Sequence, residues 1–381
     1  MRSTSSITSR LEFITQLLDG NVVVNILEIQ DKELDERHCK DIRYVLDKKT
    51  WDMNTVIKKM NSKLLYVKSG STGHTFRGIP QNNIGSSFAL KVVAFPRREV
   101  YGSMNNVKRP ENAEILMLKI LSEFVISKQT PHIILPIATF YTSIKSFVHS
   151  NMSDVVDNEL YKKFVHKYKK SNGKEYYERV SILLSEWASK GDLLDLLRKN
   201  YASFTVEHWR AVFFQVLSVL AIIHAKYPDF RHNDLKPNNV LVDSVDKSRK
   251  SISYIINEQK YVVPNAGFIL KLWDFDFACI PGVVDNSKVS AQWCNDVNIF
   301  PERNQYYDVH YFFNTLIHFV PKAFKSGTVD PTLKSFILRI IPPSMTRGED
   351  IVKKRRLLLK TEYTTPDKIL RNDEFFAPYR R

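Results

Sequence analysis

Asp234, Lys236 and Asn239 bring an acid, a cation and an amide close together in the sequence. Pro237 disfavours a regular helix, and the apolar residues 240–242 predict a buried strand, so these polar side chains should lie on the bend that enters the strand. Phosphoryl transfer needs such a set, because a hydroxyl must be positioned and lose its proton while a cation and a metal ion offset the charge of the phosphate. We therefore expect Asp234 to accept the proton, Lys236 to hold the phosphate and Asn239 to bind the metal.

The order His-x-Asp-Leu-Lys-Pro-x-Asn in this stretch resembles the catalytic loop of eukaryotic-type protein kinases. A second motif, Asp274-Phe275-Asp276, follows the mainly apolar residues 270–273, where that family has Asp-Phe-Gly. The resemblance implies that Asp274 is a metal ligand. An Asp-x-Asp pair alone is more often a solvated turn, but two motifs in the kinase order favour a kinase site.

Upstream segments resemble the kinase elements that hold ATP. Gly70 and Gly73 correspond to the second and third glycines of the glycine-rich loop, although Lys68 replaces the first and such a motif alone is more often a hairpin turn. Lys91 lies in the strand-like residues 88–93, where the resemblance implies contact with the α- and β-phosphates. Because its neighbours are apolar, the charge of Lys91 needs a partner.

The partner of Lys91 is expected on the helix that Pro110 begins. Glu114 lies inside the apolar periodic run of that helix, and Glu111, one turn earlier, is the competing candidate. We prefer Glu114, because Glu111 lies at the helix cap. The resemblance implies that the Lys91–Glu114 pair orients the nucleotide.

Residues 181–188 resemble the hinge between the two kinase lobes, because an apolar strand turns polar there. The resemblance implies that backbone groups from Glu186 to Ala188 bind adenine and that Asp192 contacts the ribose. Residues 149–178 are polar and rich in Lys and Tyr, which predicts an inserted loop. Alternating residues at 251–264 predict an extra hairpin.

Two positions depart from the family pattern. Asn233 stands where kinases carry an arginine that usually contacts a phosphorylated activation loop, so control by such phosphorylation is less expected here. Asp276 replaces the glycine of the metal-binding turn, so it either stiffens the turn or adds a carboxylate near the metal. By resemblance, Asp308 is a structural residue that braces the backbone of the catalytic loop from a core helix.

Composition limits the remaining possibilities. The 381 residues are 43% hydrophobic, which allows a sizeable core, and the net charge of +15 favours an acidic partner. The basic cluster at residues 353–356 is interpreted as a solvated face. Three cysteines without paired or metal-ligand spacing favour free thiols in a reducing compartment. No run approaches the roughly 18 apolar residues that would cross a bilayer, so a soluble, intracellular protein without a membrane span is expected.

The expected fold class is α+β, a bilobal protein-kinase-like fold with an antiparallel β-sheet in the N-lobe and a mainly helical C-lobe. The predicted domains are an N-terminal extension that packs on the N-lobe (1–60), the N-lobe (61–184), the hinge (185–190) and the C-lobe (191–381).

The predicted function is a serine/threonine protein kinase that uses ATP and Mg²⁺. The motifs are most similar to protein kinases of large nucleocytoplasmic DNA viruses, of the poxvirus virion-assembly type. That resemblance implies Ser/Thr-containing protein substrates, including virion or nucleic-acid-associated acidic proteins, and a place in the host cytoplasm and the virion. Two alternatives stay open: a pseudokinase that serves as a binding scaffold, and a small-molecule phosphotransferase, which Lys236 disfavours.

Overall fold

The computed structural model describes residues 6–29, 40–69, 73–81, 86–148, 159–246, 248–324 and 329–381. The chain divides into two compact units. The first comprises Met1–Lys119 and Leu135–Trp187, and the second comprises Ile120–Ile134 and Ala188–Arg381. Helices and an antiparallel sheet together confirm the α+β class. The division into extension, lobes and hinge stays a prediction.

The first unit is built on a sheet. Its strands are β1 (Ser62–Ser69), β2 (His74–Pro80), β3 (Phe88–Pro96), β4 (Pro136–Ser143) and β5 (Tyr176–Glu186). Within the described residues they form a five-stranded antiparallel sheet in the order β1-β2-β3-β5-β4. The apolar strand β3 lies in the middle and is almost wholly buried, so Lys91 is opposite Thr75 on one side and Leu183 on the other.

In the sequence, the helices of the first unit precede these strands or lie between them. They are α1 (Ile7–Leu18), α2 (Ile42–Val45), α3 (Met53–Lys59), α4 (Pro110–Ile126), α5 (Ile144–Val148) and α6 (Glu159–Lys170). Ser6 caps α1 by accepting a hydrogen bond from the Ser9 amide. The boundary between the two units falls within α4, after Lys119.

The prediction of a loop at residues 149–178 is wrong where the structure describes it. Residues 159–170 form α6, and β5 begins at Tyr176. Tyr161 and Phe164, one helical turn apart, pack their rings against His74 at the start of β2, while the lysines of α6 are exposed. The abundant lysines hid an amphipathic helix whose narrow aromatic face covers the sheet.

Residues before β1 contact the sheet directly. The Trp51 amide donates to the Tyr141 carbonyl over 2.8 Å, and Lys48 Nζ donates to Ser181 Oγ over 2.7 Å. Lys48 is fully buried, and burial lowers its pKa to about 7. This part of the chain therefore shares the core of the first unit.

The second unit contains the later helices and several strand pairs. Its own helices are α7 (Leu193–Asn200), α8 (Val206–Lys226), α9 (Gln292–Asn295), α10 (Tyr307–Phe319), α11 (Pro331–Ile340) and α12 (Pro366–Asn372). Its strands are β6 (Val240–Ser244), β7 (Ser251–Ile256), β8 (Gln259–Pro264), β9 (Phe268–Leu272), β10 (Val352–Lys353) and β11 (Arg356–Leu357). The hairpin predicted at 251–264 is confirmed as β7 and β8.

Helix α8 forms the core of the second unit, because residues on all its faces are buried from Trp209 to His224. In the described part of the chain, α8 is also the one helix long and apolar enough to cross a membrane, but 83% of that stretch is buried inside the protein. Its apolar surface is thus covered by other residues of the chain.

Candidate active site

The polar residues of the predicted catalytic loop lie together in the second unit. Lys236 is extended, and Pro237 begins a single 3₁₀ turn that ends at Asn239, immediately before β6. Lys236 Nζ lies 2.8 Å from Asp234 Oδ2. Asn239 Nδ2 donates to Asp234 Oδ2 and to the Asp234 carbonyl, both over 2.9 Å. The three side chains that the sequence groups are therefore joined by direct contacts.

Asp308 fixes the backbone of this loop from α10. Its Oδ2 accepts from the His232 amide over 2.7 Å, and its Oδ1 accepts from the Asn233 amide over 2.9 Å. The carboxylate is buried, so both bonds form away from water, where charge-assisted hydrogen bonds are strong. Asp308 thus occupies the bracing position that the resemblance implies.

Two residues of the site have left-handed backbone conformations. Asn233 has φ of 62° and Asp274 has φ of 64°. Asn and Asp tolerate this region better than other residues with a side chain, which suits Asn at the position before Asp234. Asn233 Nδ2 also donates to the Phe277 carbonyl over 3.1 Å, so this residue ties the catalytic loop to the segment after Asp274.

Asp274 lies next to the catalytic loop because β6 and β9 pair. Val240 is opposite Leu272, and the Trp273 amide donates to the Asn239 carbonyl over 3.2 Å. The described residues contain no group of three or more His, Cys, Asp or Glu side chains that could hold a metal ion. An amide oxygen of Asn239 and the carboxylate of Asp274 fit Mg²⁺, which usually takes one or two carboxylates and completes its shell with water and phosphate oxygens.

The extra acid of the predicted metal-binding turn is paired with a cation. Lys288 Nζ contacts Asp276 Oδ2 and lies 3.8 Å from the centroid of the Phe277 ring. Both partners are buried, and Asn286 Nδ2 donates to the Asp276 carbonyl over 3.0 Å. Of the two alternatives for Asp276, this geometry favours a stiffened turn.

Arg356, which the sequence gave no reason to single out, contacts Asp234. Its Nη2 donates to Asp234 Oδ1 and its Nη1 to the Asn233 carbonyl. Its guanidinium lies 3.9 Å from the centroid of the Tyr311 ring. The interpretation of residues 353–356 as a solvated basic face is therefore wrong for Arg356, which is only 7% exposed, although the three residues before it are exposed.

The balance of charges keeps Asp234 ionised. Burial raises the pKa of its carboxyl, but the charges of Arg356 and Lys236 outweigh burial, and the pKa is lowered overall. The same surroundings raise the pKa of Tyr311, mainly by burial. Asp234 is thus a carboxylate that accepts hydrogen bonds.

The predicted phosphate-binding residues lie in the first unit. Lys91 Nζ donates to both carboxylate oxygens of Glu114, over 2.7 and 2.9 Å, and both residues are buried. The competing Glu111 instead pairs with Arg109 over 2.9 Å. The structure thus brings Lys91 together with Glu114, the preferred partner.

Close packing alone requires glycine at position 73. A Cβ atom added there would lie 2.5 Å from the Val92 carbonyl oxygen and 2.9 Å from Val93 Cγ2. Cβ atoms in proteins essentially never lie this close to another heavy atom, so a side chain at position 73 would displace β3. Gly70 lies outside the described residues.

The predicted adenine- and ribose-binding residues already have structural contacts. The carboxylate of Glu186 accepts from Arg10 over 2.6 and 2.7 Å and from the Leu135 amide over 2.9 Å. In the second unit, Ala188 is buried, and Asp192 caps α7 by accepting from the Asp195 amide over 3.0 Å. The sequence had offered no partner for Glu186.

Comparisons with known proteins identify relatives of this chain. The family model described as poxvirus serine/threonine protein kinase matches residues 102–358. A protein of Acanthamoeba polyphaga mimivirus named as a serine/threonine-protein kinase is 42% identical over 98% of this chain and 80% of its own length. Serine/threonine-protein kinase 2 of fowlpox virus is 28% identical over 58% of this chain and 47% of its own length. The monkeypox virus protein of the same name is 30% identical over 52% of this chain and 43% of its own length.

Proposed function

This chain belongs to the poxvirus serine/threonine protein kinase family, and we propose that the residues described above carry out the transfer of the γ-phosphoryl group of ATP to serine and threonine side chains of proteins. The observation that carries this proposal is the contact of Asp234 with Lys236 and Asn239 in the loop that Asp308 braces. One stretch of backbone thereby supplies Asp234 for the substrate hydroxyl, Lys236 for the phosphate and Asn239 for the metal.

Asp234 is the proposed group that orients the substrate hydroxyl and accepts its proton. Its ionised state supports this role, because a carboxylate can take up the proton of the hydroxyl and a protonated carboxyl group cannot. Lys236, 2.8 Å from Asp234, is the proposed cation beside the transferring phosphoryl group. A cation there offsets the charge that develops in the transition state.

Lys91 is the proposed ligand of the α- and β-phosphates, with Glu114 holding its ammonium group in place. Asn239 and Asp274 are the proposed ligands of Mg²⁺, which neutralises phosphate oxygens when it is bound. Gly70 and Gly73 would let the backbone approach the phosphates.

The backbone of Glu186 and Ala188 is the proposed adenine site, and Asp192 is the proposed ribose contact. Because the carboxylate of Glu186 is engaged by Arg10, only main-chain groups of Glu186 would serve. In this proposal the two compact units are the N-lobe and the C-lobe of a bilobal kinase, with residues 185–190 as the hinge.

The proposed substrates are acidic proteins, because a net charge of +15 attracts them. The viral relatives support a place of action in the host cytoplasm or the virion, where nucleic-acid-associated proteins occur. The chain spans less than half of the length of its fowlpox and monkeypox relatives, 47% and 43%. The substrate class proposed for this chain therefore rests on its own charge and not on the substrates of these relatives.

The test is transfer of labelled γ-phosphate with Mg²⁺ to a panel of acidic proteins, basic proteins and small alcohols. Wild type should yield phosphoserine or phosphothreonine, Asp234→Asn should lose about 10²–10⁴-fold in rate, and chelation of Mg²⁺ should abolish transfer. Asp274→Asn should also lose rate, and its residual activity should need a higher concentration of Mg²⁺.

Three outcomes would overturn the proposal or a part of it. A loss of only a few-fold in Asp234→Asn would remove the role of Asp234. Phosphorylation of the small alcohols alone would indicate a metabolite phosphotransferase. ATP binding without transfer by the wild type would indicate a scaffold.

A further inference from the structure

The hairpin of β10 and β11 delivers a cation to Asp234 from a distant part of the chain. Arg356 is separated from Asp234 by 122 positions. Its fork donates to Asp234 Oδ1 through Nη2 and to the Asn233 carbonyl through Nη1, and Nη1 also lies 3.5 Å from Tyr307 Oη. The guanidinium therefore contacts both the carboxylate and the backbone of the residue before it.

Asp234 is held from two sides. Lys236 and Asn239 donate to Oδ2, and Arg356 donates to Oδ1. Donors on both oxygens restrict rotation of the carboxylate about its bond to Cβ, which one donor alone would not do.

Arg356 is built into the fold rather than loosely placed. It is buried, and its ring contact with Tyr311 orients the guanidinium plane. Among the described residues, Asp234 is the acid that forms an ion pair with Arg356. Release of Arg356 would leave its buried guanidinium without its acid, although Asp234 would keep Lys236, so the contact should persist while substrate binds.

We propose that Arg356 is a positioning residue for phosphoryl transfer, which holds the Asp234 carboxylate and the Asn233 peptide in the orientation that receives the substrate hydroxyl. This inference rests on the proposed function. It gives the residues after α11 a part in catalysis, since β11 begins at Arg356.

The opposite interpretation is an autoinhibitory arginine that competes with the substrate for Oδ1. The burial of Arg356 and its second bond, to the Asn233 carbonyl, favour positioning, because a displaceable arginine would need an exposed route and an alternative partner. The two interpretations predict opposite changes in rate.

The test compares the full-length wild type with Arg356→Met, Arg356→Lys and Arg355→Met, after thermal unfolding has shown that each is folded. Arg355 is the matched control, because it lies in the same hairpin but is exposed, 5.6 Å from the Phe319 ring. Arg356→Met should lose up to about 10²-fold in kcat with little change in KM for ATP. Arg356→Lys keeps the charge but loses the paired hydrogen bonds of the guanidinium, so its kcat should be intermediate. Arg355→Met should have the kcat of the wild type.

Added methylguanidinium ion should partly restore kcat in Arg356→Met and leave the wild type unchanged. Should Arg356→Met fail to fold, the kcat of Arg356→Lys tests the inference instead. Wild-type or raised kcat in a folded Arg356 variant would overturn the inference while the proposed function stands. Absence of protein phosphorylation by the wild type would overturn both.

Discussion

Asp276 stands where the family pattern has glycine, and its buried carboxylate contacts Lys288. A buried acid requires a partner, because removal from water destabilises an isolated charge far more than it destabilises a paired one. The Asp276–Lys288 pair joins the proposed metal-binding turn to the segment that follows it. We therefore assign Asp276 to the stability of that turn, whereas Asp274 is the proposed metal ligand.

Asp276→Asn should lower the free energy of unfolding by about 3–5 kcal/mol, because it leaves Lys288 buried without its anion. The double variant Asp276→Asn/Lys288→Met should recover much of that loss. Exposed Asp246→Asn is the control and should unfold like the wild type. Thermal unfolding measures all three, and a Mg²⁺ requirement that rises in Asp276→Asn without loss of stability would contradict the assignment.

The choice between Glu111 and Glu114 gives a matched pair of variants in one helix. Glu114→Gln removes the anion that holds Lys91, so KM for ATP should rise and kcat/KM should fall by about 10-fold or more. Glu111→Gln disturbs Arg109 instead and should keep wild-type kcat/KM in the folded protein. Steady-state kinetics with varied ATP decides, and equal losses in both variants would argue against a specific role for Glu114.

Helix α1 brings a charged residue into the core of the first unit. Arg10, Ile14 and Leu17 follow the i, i+4, i+7 spacing of one helical face, and all three are buried. On that face Arg10 reaches Glu186 at the end of β5. The N-terminal helix thus completes the surroundings of a residue that we place at the adenine site.

Arg10→Met should destabilise the protein by about 3–5 kcal/mol, because Glu186 would remain buried without its cation. Affinity for ATP should also fall, since the backbone at Glu186 would lose its support. Glu12→Gln, on the exposed face of α1, is the control. Thermal unfolding and nucleotide titration test both effects, and unchanged stability of Arg10→Met would show that this ion pair is dispensable.

Local patterns in the sequence were enough to predict several elements of the structure. Alternation predicts the β7–β8 hairpin, and the apolar residues around Lys91 and Glu114 predict a buried pair on a strand and a helix. Arg10 also carried a signal, because its spacing matches that of the apolar residues of α1. Helix α6 was missed since its lysines outnumber the aromatic residues that pack.

The pairs of Arg356 with Asp234 and of Lys288 with Asp276 could not be predicted in this way. A basic residue in a basic run usually faces solvent, and nothing local distinguishes Arg356 from Arg355. Only tertiary packing brings together residues 122 positions apart. The contact of Arg356 leaves Oδ1 of Asp234 to the guanidinium and Oδ2 to Lys236 and Asn239.

At the scale of the whole molecule, buried histidines connect stability to pH. Burial lowers the pKa of His74, His224 and His310 to about 4, from an ordinary value of 6.5. The folded state therefore binds these protons less well than the unfolded chain does. Their contribution is fully present above pH 6.5 and is lost as the pH falls from 6.5 towards about 4.

The net charge acts in the same direction. A chain that carries +15 at neutral pH gains further positive charge as exposed histidines and then carboxylates take up protons, and self-repulsion destabilises the compact state. Salt distinguishes the two causes, because it screens exposed charges but does not change the burial of an imidazole. Self-repulsion should therefore weaken at high salt, while the histidine contribution should remain.

We accordingly expect the unfolding temperature to fall between pH 6.5 and 4, with part of the slope surviving in high salt. His74 isolates the histidine contribution, because it packs among the rings of Phe147, Tyr161 and Phe164. Phenylalanine keeps the ring contacts, loses the hydrogen bond to Ser69 Oγ and cannot take up a proton. His74→Phe should therefore reduce the salt-resistant slope, while His224 and His310 still contribute. His166→Gln, on the exposed face of α6, should leave the slope unchanged. Equal slopes for His74→Phe and wild type at high salt would attribute the acid sensitivity to other groups.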